Sequence, residues 1–114
     1  MIGIDLVYIP RITRLMTRYG ERFLKRWFTG GEIDYIVSKA YSPKTVAGIF
    51  ASKEAVAKAR GTGIGEVGFR DIEVFHNPLH ARSCGEIYQL SISHDGDYAV
   101  AVALHIKEET YEHR

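Results

Sequence analysis

An aspartate stands in the middle of the apolar opening Met1-Ile2-Gly3-Ile4-Asp5-Leu6-Val7. A glutamate stands in the alanine-rich run Phe50-Ala51-Ser52-Lys53-Glu54-Ala55-Val56-Ala57-Lys58-Ala59-Arg60-Gly61-Thr62-Gly63. Burying either carboxylate is costly unless a cation or a partner group meets it. If a strand bearing Asp5 packs beneath a helix bearing Glu54, the two charges repel and demand a compensating positive one. A hard divalent cation would supply it. Mg²⁺ is typically held by one or two carboxylates, keeps several waters and completes its shell with phosphate oxygens. Read alone, Glu54 and Lys58 also fit a solvated pair one helical turn apart.

Other residues surround this pair of segments in sequence with the chemistry of anion binding. Gly61-Thr62-Gly63-Ile64-Gly65 lies just beyond the alanine-rich run, where backbone amides could face phosphate or simply cap a helix; it is not a P-loop, because no Lys-Ser or Lys-Thr follows. Ser91-Ile92-Ser93-His94-Asp95 places a histidine at a turn, either to brace it or to grip an anion. Arg11, Arg14 and Arg18 form a basic helical stripe with Arg22, Lys25 and Arg26 nearby, suited to an acidic partner, a nucleic acid or plain solvent. His76, His80 and Cys84 repeat every four residues, but Pro78 interrupts the helix that would align them on a metal, and Cys84 reads as a small buried thiol.

The elements that must position these groups follow from periodicity and punctuation. Ile2, Ile4, Leu6 and Tyr8 alternate with Gly3, Asp5, Val7 and Ile9, which predicts a strand apolar on both faces with Asp5 in the sheet interior. Pro10 opens an amphipathic helix that Gly20 ends; a short helix covers residues 22–28, and Thr29 with Glu32 reads as a capping box. Ser42-Pro43 predicts the start of a long helix over 43–60, with Gly61 as its C-terminal cap. Residues 69–75, 87–93 and 98–106 read as strands, the last two joined by a hairpin at Asp95-Gly96. Strand, helices, then strands predicts an α+β fold with a mainly antiparallel sheet packed against the long helix.

Composition bounds the rest. A length of 114 residues fits one domain, over 1–114, with a modest core, and 46% hydrophobic and 25% charged residues are ordinary for a globular chain. A net charge of +1 argues neither for nor against a polyanionic partner, so any charge signal is local. No apolar run approaches the roughly 20 residues needed to span a bilayer. The opening also lacks a basic start and a small-residue cleavage site, so a cytoplasmic location is expected. The single cysteine, Cys84, has no intrachain partner.

Taken together, Gly3-Ile4-Asp5-Leu6-Val7, Arg22-Phe23-Leu24-Lys25-Arg26-Trp27-Phe28-Thr29, the Phe50-to-Ala59 run, Gly61-Thr62-Gly63 and Ser91-Ile92-Ser93-His94-Asp95 resemble the small bacterial 4′-phosphopantetheinyl transferases, the holo-[acyl-carrier-protein] synthase family. The resemblance implies that family's α+β fold, a homotrimer with active sites between subunits, and transfer of the 4′-phosphopantetheine group of coenzyme A to a serine of apo acyl carrier protein, with release of adenosine 3′,5′-bisphosphate, in fatty-acid biosynthesis. It implies that Asp5 and Glu54 bind Mg²⁺, that Lys58 stabilises the leaving group, and that Lys58, Gly61, Thr62, Gly63 and His94 contact the nucleotide and its phosphates. It further implies that Arg11, Arg14 and Arg18 meet the acidic recognition helix of the carrier. The serine proton would leave through a metal-bound water relayed by Glu54, the favoured route, or directly to a carboxylate. The chain departs from the family pattern at Ile49, where many relatives place an arginine, at Gly30-Gly31, and in a shortened 77–86 segment. Alternative functions are a non-catalytic module that binds the carrier or coenzyme A, and an RNA-binding protein that uses the basic helix.

Overall fold

The structure is a computed structural model and describes residues 1–61 and 68–107. Strand β1 (Ile2–Tyr8) runs into helices α1 (Ile9–Tyr19), α2 (Glu21–Trp27), α3 (Gly30–Ser38) and α4 (Pro43–Arg60). A 3₁₀ turn (Phe69–Asp71) then leads to β2 (Ile72–Phe75), β3 (His80–Ser83), β4 (Glu86–Asp95) and β5 (Tyr98–Ile106). The sheet has the order β1-β5-β4-β3-β2, and every pairing in it is antiparallel. The first strand thus pairs with the last, and α4 lies on one face of the sheet, chiefly against β1 and β5.

The reason α4 lies there is the size of its side chains. Ala99, Ala101 and Ala103 on β5 are fully buried, as are Ala51, Ala55 and Ala59 on α4. Two surfaces of small residues let backbone approach backbone, and the tightest approach is at Gly3. A Cβ there would collide with the Ala55 carbonyl oxygen and lie 2.7 Å from the Ala59 amide nitrogen. Around this contact Ile12, Phe23, Phe28, Ile36, Val46, Ile49, Ile72 and Tyr88 close the core. Ile49, which departs from the family pattern, is a core residue here.

Helix boundaries match their punctuation closely. Thr29 and Glu32 form the reciprocal capping box, in spite of Gly30 and Gly31. Gly61 adopts the left-handed conformation (φ 82°) that a C-terminal cap requires. Ser42 precedes Pro43 as expected, but its side chain makes no capping hydrogen bond.

Three local expectations need correction. Residues 69–71 form a turn instead of a strand, because that turn tucks the Phe69 ring between Trp27 and Phe50. The strand β3 was not foreseen: His80-Ala81-Arg82-Ser83 has little apolar alternation, yet Ala81 and Ser83 are buried and the segment pairs with β2 and β4. Pro78 stands in the β2–β3 connection, and Cys84, in a left-handed turn conformation at the next hairpin, is exposed and not buried.

The face of β1 opposite α4 is open in the isolated chain. Ile4 is 58% and Leu6 60% exposed, and Ile2, Tyr8, Tyr98, Leu104 and Ile106 are exposed beside them. The apolar character of both strand faces is therefore real, but a single chain covers only one. Gly3→Ala is expected to destabilise the fold by about 3 kcal/mol, the upper end for overpacking, because its new methyl meets backbone that has no rotamer with which to yield. Chemical denaturation of the variant and the wild type measures it.

Candidate active site

Asp5 lies on the face of β1 that α4 covers, at the margin of the contact, and its side chain is 13% exposed. Opposite it, α4 is buried on most of its circumference, and Glu54 and Lys58, one turn apart, lie on its more open side. The Lys58 ammonium reaches down to β1 and donates to Asp5 Oδ1 at 3.0 Å and to the Ile4 carbonyl at 3.1 Å. The local i,i+4 pairing of Glu54 with Lys58 is thus replaced by a contact across two elements.

Glu54 is half-buried without a hydrogen-bond partner of its own among the described residues. Burial pushes its carboxyl above the ordinary range, and the charge of Asp5 pushes it the same way; Lys58 and Arg11 pull it back. Two hard carboxylates near one another, with only an ammonium on Asp5, form a locus that accepts further positive charge. The donor set is oxygen only, with no thiolate or imidazole, which suits Mg²⁺ and not zinc. No group of three or more His, Cys, Asp or Glu side chains occurs among the described residues. A cation here would keep open positions for water or phosphate oxygens.

The other foreseen residues fall at stated distances from this pair. Gly61 caps α4 three residues beyond Lys58, with its amide donating to the Lys58 carbonyl at 3.0 Å. Thr62 and Gly63 lie outside the described residues. His94 shares the α4-facing side of the sheet with Asp5, but it meets the other end of the helix: its Nε2 donates to the Lys44 carbonyl at 3.0 Å. At 1.5 Å per residue, Lys44 and Glu54 are about 15 Å apart along the axis. One chain therefore does not bring His94 to the carboxylate pair.

Arg11, Arg14 and Arg18 are all exposed on α1, and Arg11 is close enough to act electrostatically on Glu54. Next to them an open groove of about 640 Å³ runs between α1 and α2, lined by Leu15, Tyr19, Arg22, Phe23, Arg26 and Trp27. Arg18 and Arg26 sit over the rings of their sequence neighbours Tyr19 and Trp27, and Arg22 reaches from α2 over Tyr19 of α1, so aromatic rings interleave with the basic patch.

Sequence reasoning missed one charged pair altogether. Lys53 and Glu32 are both fully buried and form an ion pair of 2.7 Å. Glu32 also accepts from the Thr29 amide at 2.9 Å and the Val74 amide at 2.7 Å. Burial pushes the Glu32 carboxyl up and the Lys53 ammonium down, each opposed by the other's charge. The capping box pointed to Glu32, but only the fold shows that its carboxylate continues inward to α4.

With this geometry in place, comparison with known proteins is decisive. The family model of the 4′-phosphopantetheinyl transferase superfamily matches residues 1–103. The chain belongs to the 4′-phosphopantetheinyl transferase superfamily. Within it, the holo-[acyl-carrier-protein] synthase of Gloeobacter violaceus is 46% identical over 115 residues, covering 88% of this chain and 87% of its own. That of Campylobacter curvus is 43% identical over 116 residues, covering 91% and 98%. The crystal structure of Helicobacter pylori holo-[acyl-carrier-protein] synthase in complex with coenzyme A superposes with a TM-score of 0.82 at 34% identity, covering 93% of this chain and 100% of that one. The expected α+β transferase fold is therefore the fold observed.

The raised Glu54 carboxyl carries a sign that can be checked. A carboxyl whose folded pKa exceeds its unfolded value opposes folding while ionised, and this penalty is relieved as pH falls through the folded value. Metal-free Glu54→Gln is thus expected to melt above the wild type at pH 7, with the advantage vanishing toward pH 4. Millimolar Mg²⁺ is expected to raise the wild-type midpoint and leave the variant unchanged, as differential scanning fluorimetry would show.

Proposed function

We propose that this chain is a holo-[acyl-carrier-protein] synthase that moves 4′-phosphopantetheine from coenzyme A to a serine of apo acyl carrier protein, for fatty-acid biosynthesis. The observation that carries this reading is the meeting of Asp5, Glu54 and Lys58 across β1 and α4 in a chain of this superfamily. The serine oxygen forms a bond to the β-phosphorus of coenzyme A while the bond to the bridging oxygen breaks, so adenosine 3′,5′-bisphosphate leaves. Such chemistry depends on positioning and on neutralising charge that grows on the leaving oxygen.

Asp5 and Glu54 would hold Mg²⁺, which would supply positive charge toward the phosphates. Lys58 pairs with Asp5 in the free protein and is placed to turn toward the leaving phosphate when the nucleotide arrives. Gly61 at the helix end faces the phosphates, and Thr62 and Gly63, which follow it in the sequence, are assigned the same role by the family resemblance. Arg11, Arg14 and Arg18, beside the aromatic groove, receive the acidic face of the carrier and steer it to the site.

His94 completes the nucleotide site from a neighbouring subunit, since about 15 Å of helix separates its contact at Lys44 from Glu54 in one chain. The exposed apolar face of β1 and β5 supports this assembly: Ile2, Ile4, Leu6, Leu104 and Ile106 stand exposed beside one another on it. Three copies closing around that face bury it. Among the described residues no helix is long and apolar enough to cross a membrane.

Incubation with apo carrier, coenzyme A and Mg²⁺, followed by intact-mass spectrometry of the carrier, is expected to show addition of the phosphopantetheine arm; an unmodified carrier under metal-replete conditions overturns the assignment. Asp5→Asn and Glu54→Gln are each expected to lower turnover by at least ~100-fold with the fold intact, the upper range even for residues that merely support a metal ligand. Sedimentation equilibrium is expected to give a trimer for the wild type. Leu6→Asp should give monomers with most transfer activity lost; a Leu6→Asp trimer would show that this face is not the interface.

A further inference from the structure

The long helix that carries Glu54 has an unusual problem of orientation. An amphipathic helix finds its rotation about its own axis by burying its one apolar stripe. Helix α4 buries Val46, Ala47, Gly48, Ile49, Ala51, Ser52, Lys53, Ala55, Val56, Ala57 and Ala59, on most of its circumference, and many of these side chains are small. Smooth, nearly all-round burial specifies that the helix is inside but weakly specifies which way it faces. The position of Glu54 needs a rotation set to within a fraction of a residue's 100° step.

Beside the approach of Ala55 and Ala59 to Gly3, one polar contact adds to that setting. Glu32 is fixed from outside α4: Oε1 accepts from the Thr29 amide that opens α3, and Oε2 from the Val74 amide on β2. Lys53 Nζ, flanked by the rings of Phe28 and Phe69 at 5.5 and 5.4 Å, binds Oε1 of this anchored carboxylate at 2.7 Å. Neither partner reaches solvent, so Lys53 has no alternative to this bond without leaving a charge buried alone. With Lys53 held toward α3, its sequence neighbour Glu54 points about 100° away, toward β1 and Asp5.

We propose that Lys53 is a positioning residue: its buried bond to Glu32 sets the rotation of α4 and thereby aims Glu54 and Lys58 at Asp5. This rests on the reading of Asp5 and Glu54 as the metal site. Lys53 touches neither Asp5 nor the basic helix, and acts through the backbone of α4.

The test is the charge-free pair E32Q/K53M, which leaves no lone ion in the core, beside the charge-keeping pair E32D/K53R. Crystal structures, thermal midpoints and Mn²⁺ titration calorimetry are compared with the wild type. The neutral pair is expected to fold cooperatively, to lose the 3.0 Å contact of Lys58 Nζ with Asp5 Oδ1, and to bind Mn²⁺ at least tenfold more weakly; the charge-keeping pair should recover most of that affinity. A folded neutral pair with the Lys58–Asp5 contact and Mn²⁺ affinity of the wild type overturns the proposal, as does a charge-keeping pair no better than the neutral one. A wild type that does not modify the carrier counts against the proposed activity alone, because the crystallographic comparison does not depend on turnover.

Discussion

The close approach of α4 to β1 at Gly3 is the constraint on which the rest of this molecule depends. Ala55 and Ala59 sit against a residue without a side chain, and the helix consequently lies low on the sheet. Two residues further along the strand Asp5 faces the same helix, now at its margin, and one turn of α4 brings Glu54 and Lys58 above it. Small side chains thus serve two ends. They permit dense packing, and they bring charges from a strand and a helix closer than ordinary core residues would allow.

The fold treats its two charged clusters in opposite ways. Lys53 and Glu32 are removed from water entirely, but every oxygen of the carboxylate is used and the ammonium has an ionic partner and two ring faces. That cluster is complete and so is structural in kind. Asp5, Glu54 and Lys58 are incomplete: three ionic groups share one hydrogen-bonded contact, and Glu54 is left with its carboxyl driven upward by burial and by its neighbour. Unfinished electrostatics in a half-open position, held by a finished cluster one residue away, is the arrangement expected of a site that awaits a ligand.

A single chain is also unfinished as a surface. The alternation in β1 and β5 produces one face of alanines against α4 and another of Ile, Leu, Val and Tyr that meets nothing within the chain. The separation of His94 from the carboxylates points the same way, since residues of one proposed site stand at opposite ends of one helix. Assembly through the apolar face would resolve both observations at once, and the basic aromatic groove between α1 and α2 would remain outside it for the carrier.

Much of this was legible in the residue order. The capping box at Thr29 and Glu32, the Pro43 start and Gly61 end of α4, and the Asp95-Gly96 hairpin are local signals, in which the chain's own backbone needs select the residue. The family resemblance grouped Asp5, Glu54 and Lys58, and the fold brings Lys58 onto Asp5 with Glu54 one turn away on the same helix. The short strand β3 was not legible, because its four residues are held by the hydrogen-bonding edges of β2 and β4 and not by their own propensity. Nor was the exposure of Cys84, the exchange of the Glu54–Lys58 pair for Lys58–Asp5, or the burial of Lys53 on Glu32. Sequence by itself determined β1, the helices and the closing hairpin, since periodicity and caps act within a few residues. Which ion meets which was decided only by tertiary structure, because partners separated by 21 and 53 residues in the chain are chosen by how α4 packs against α3 and lies on β1.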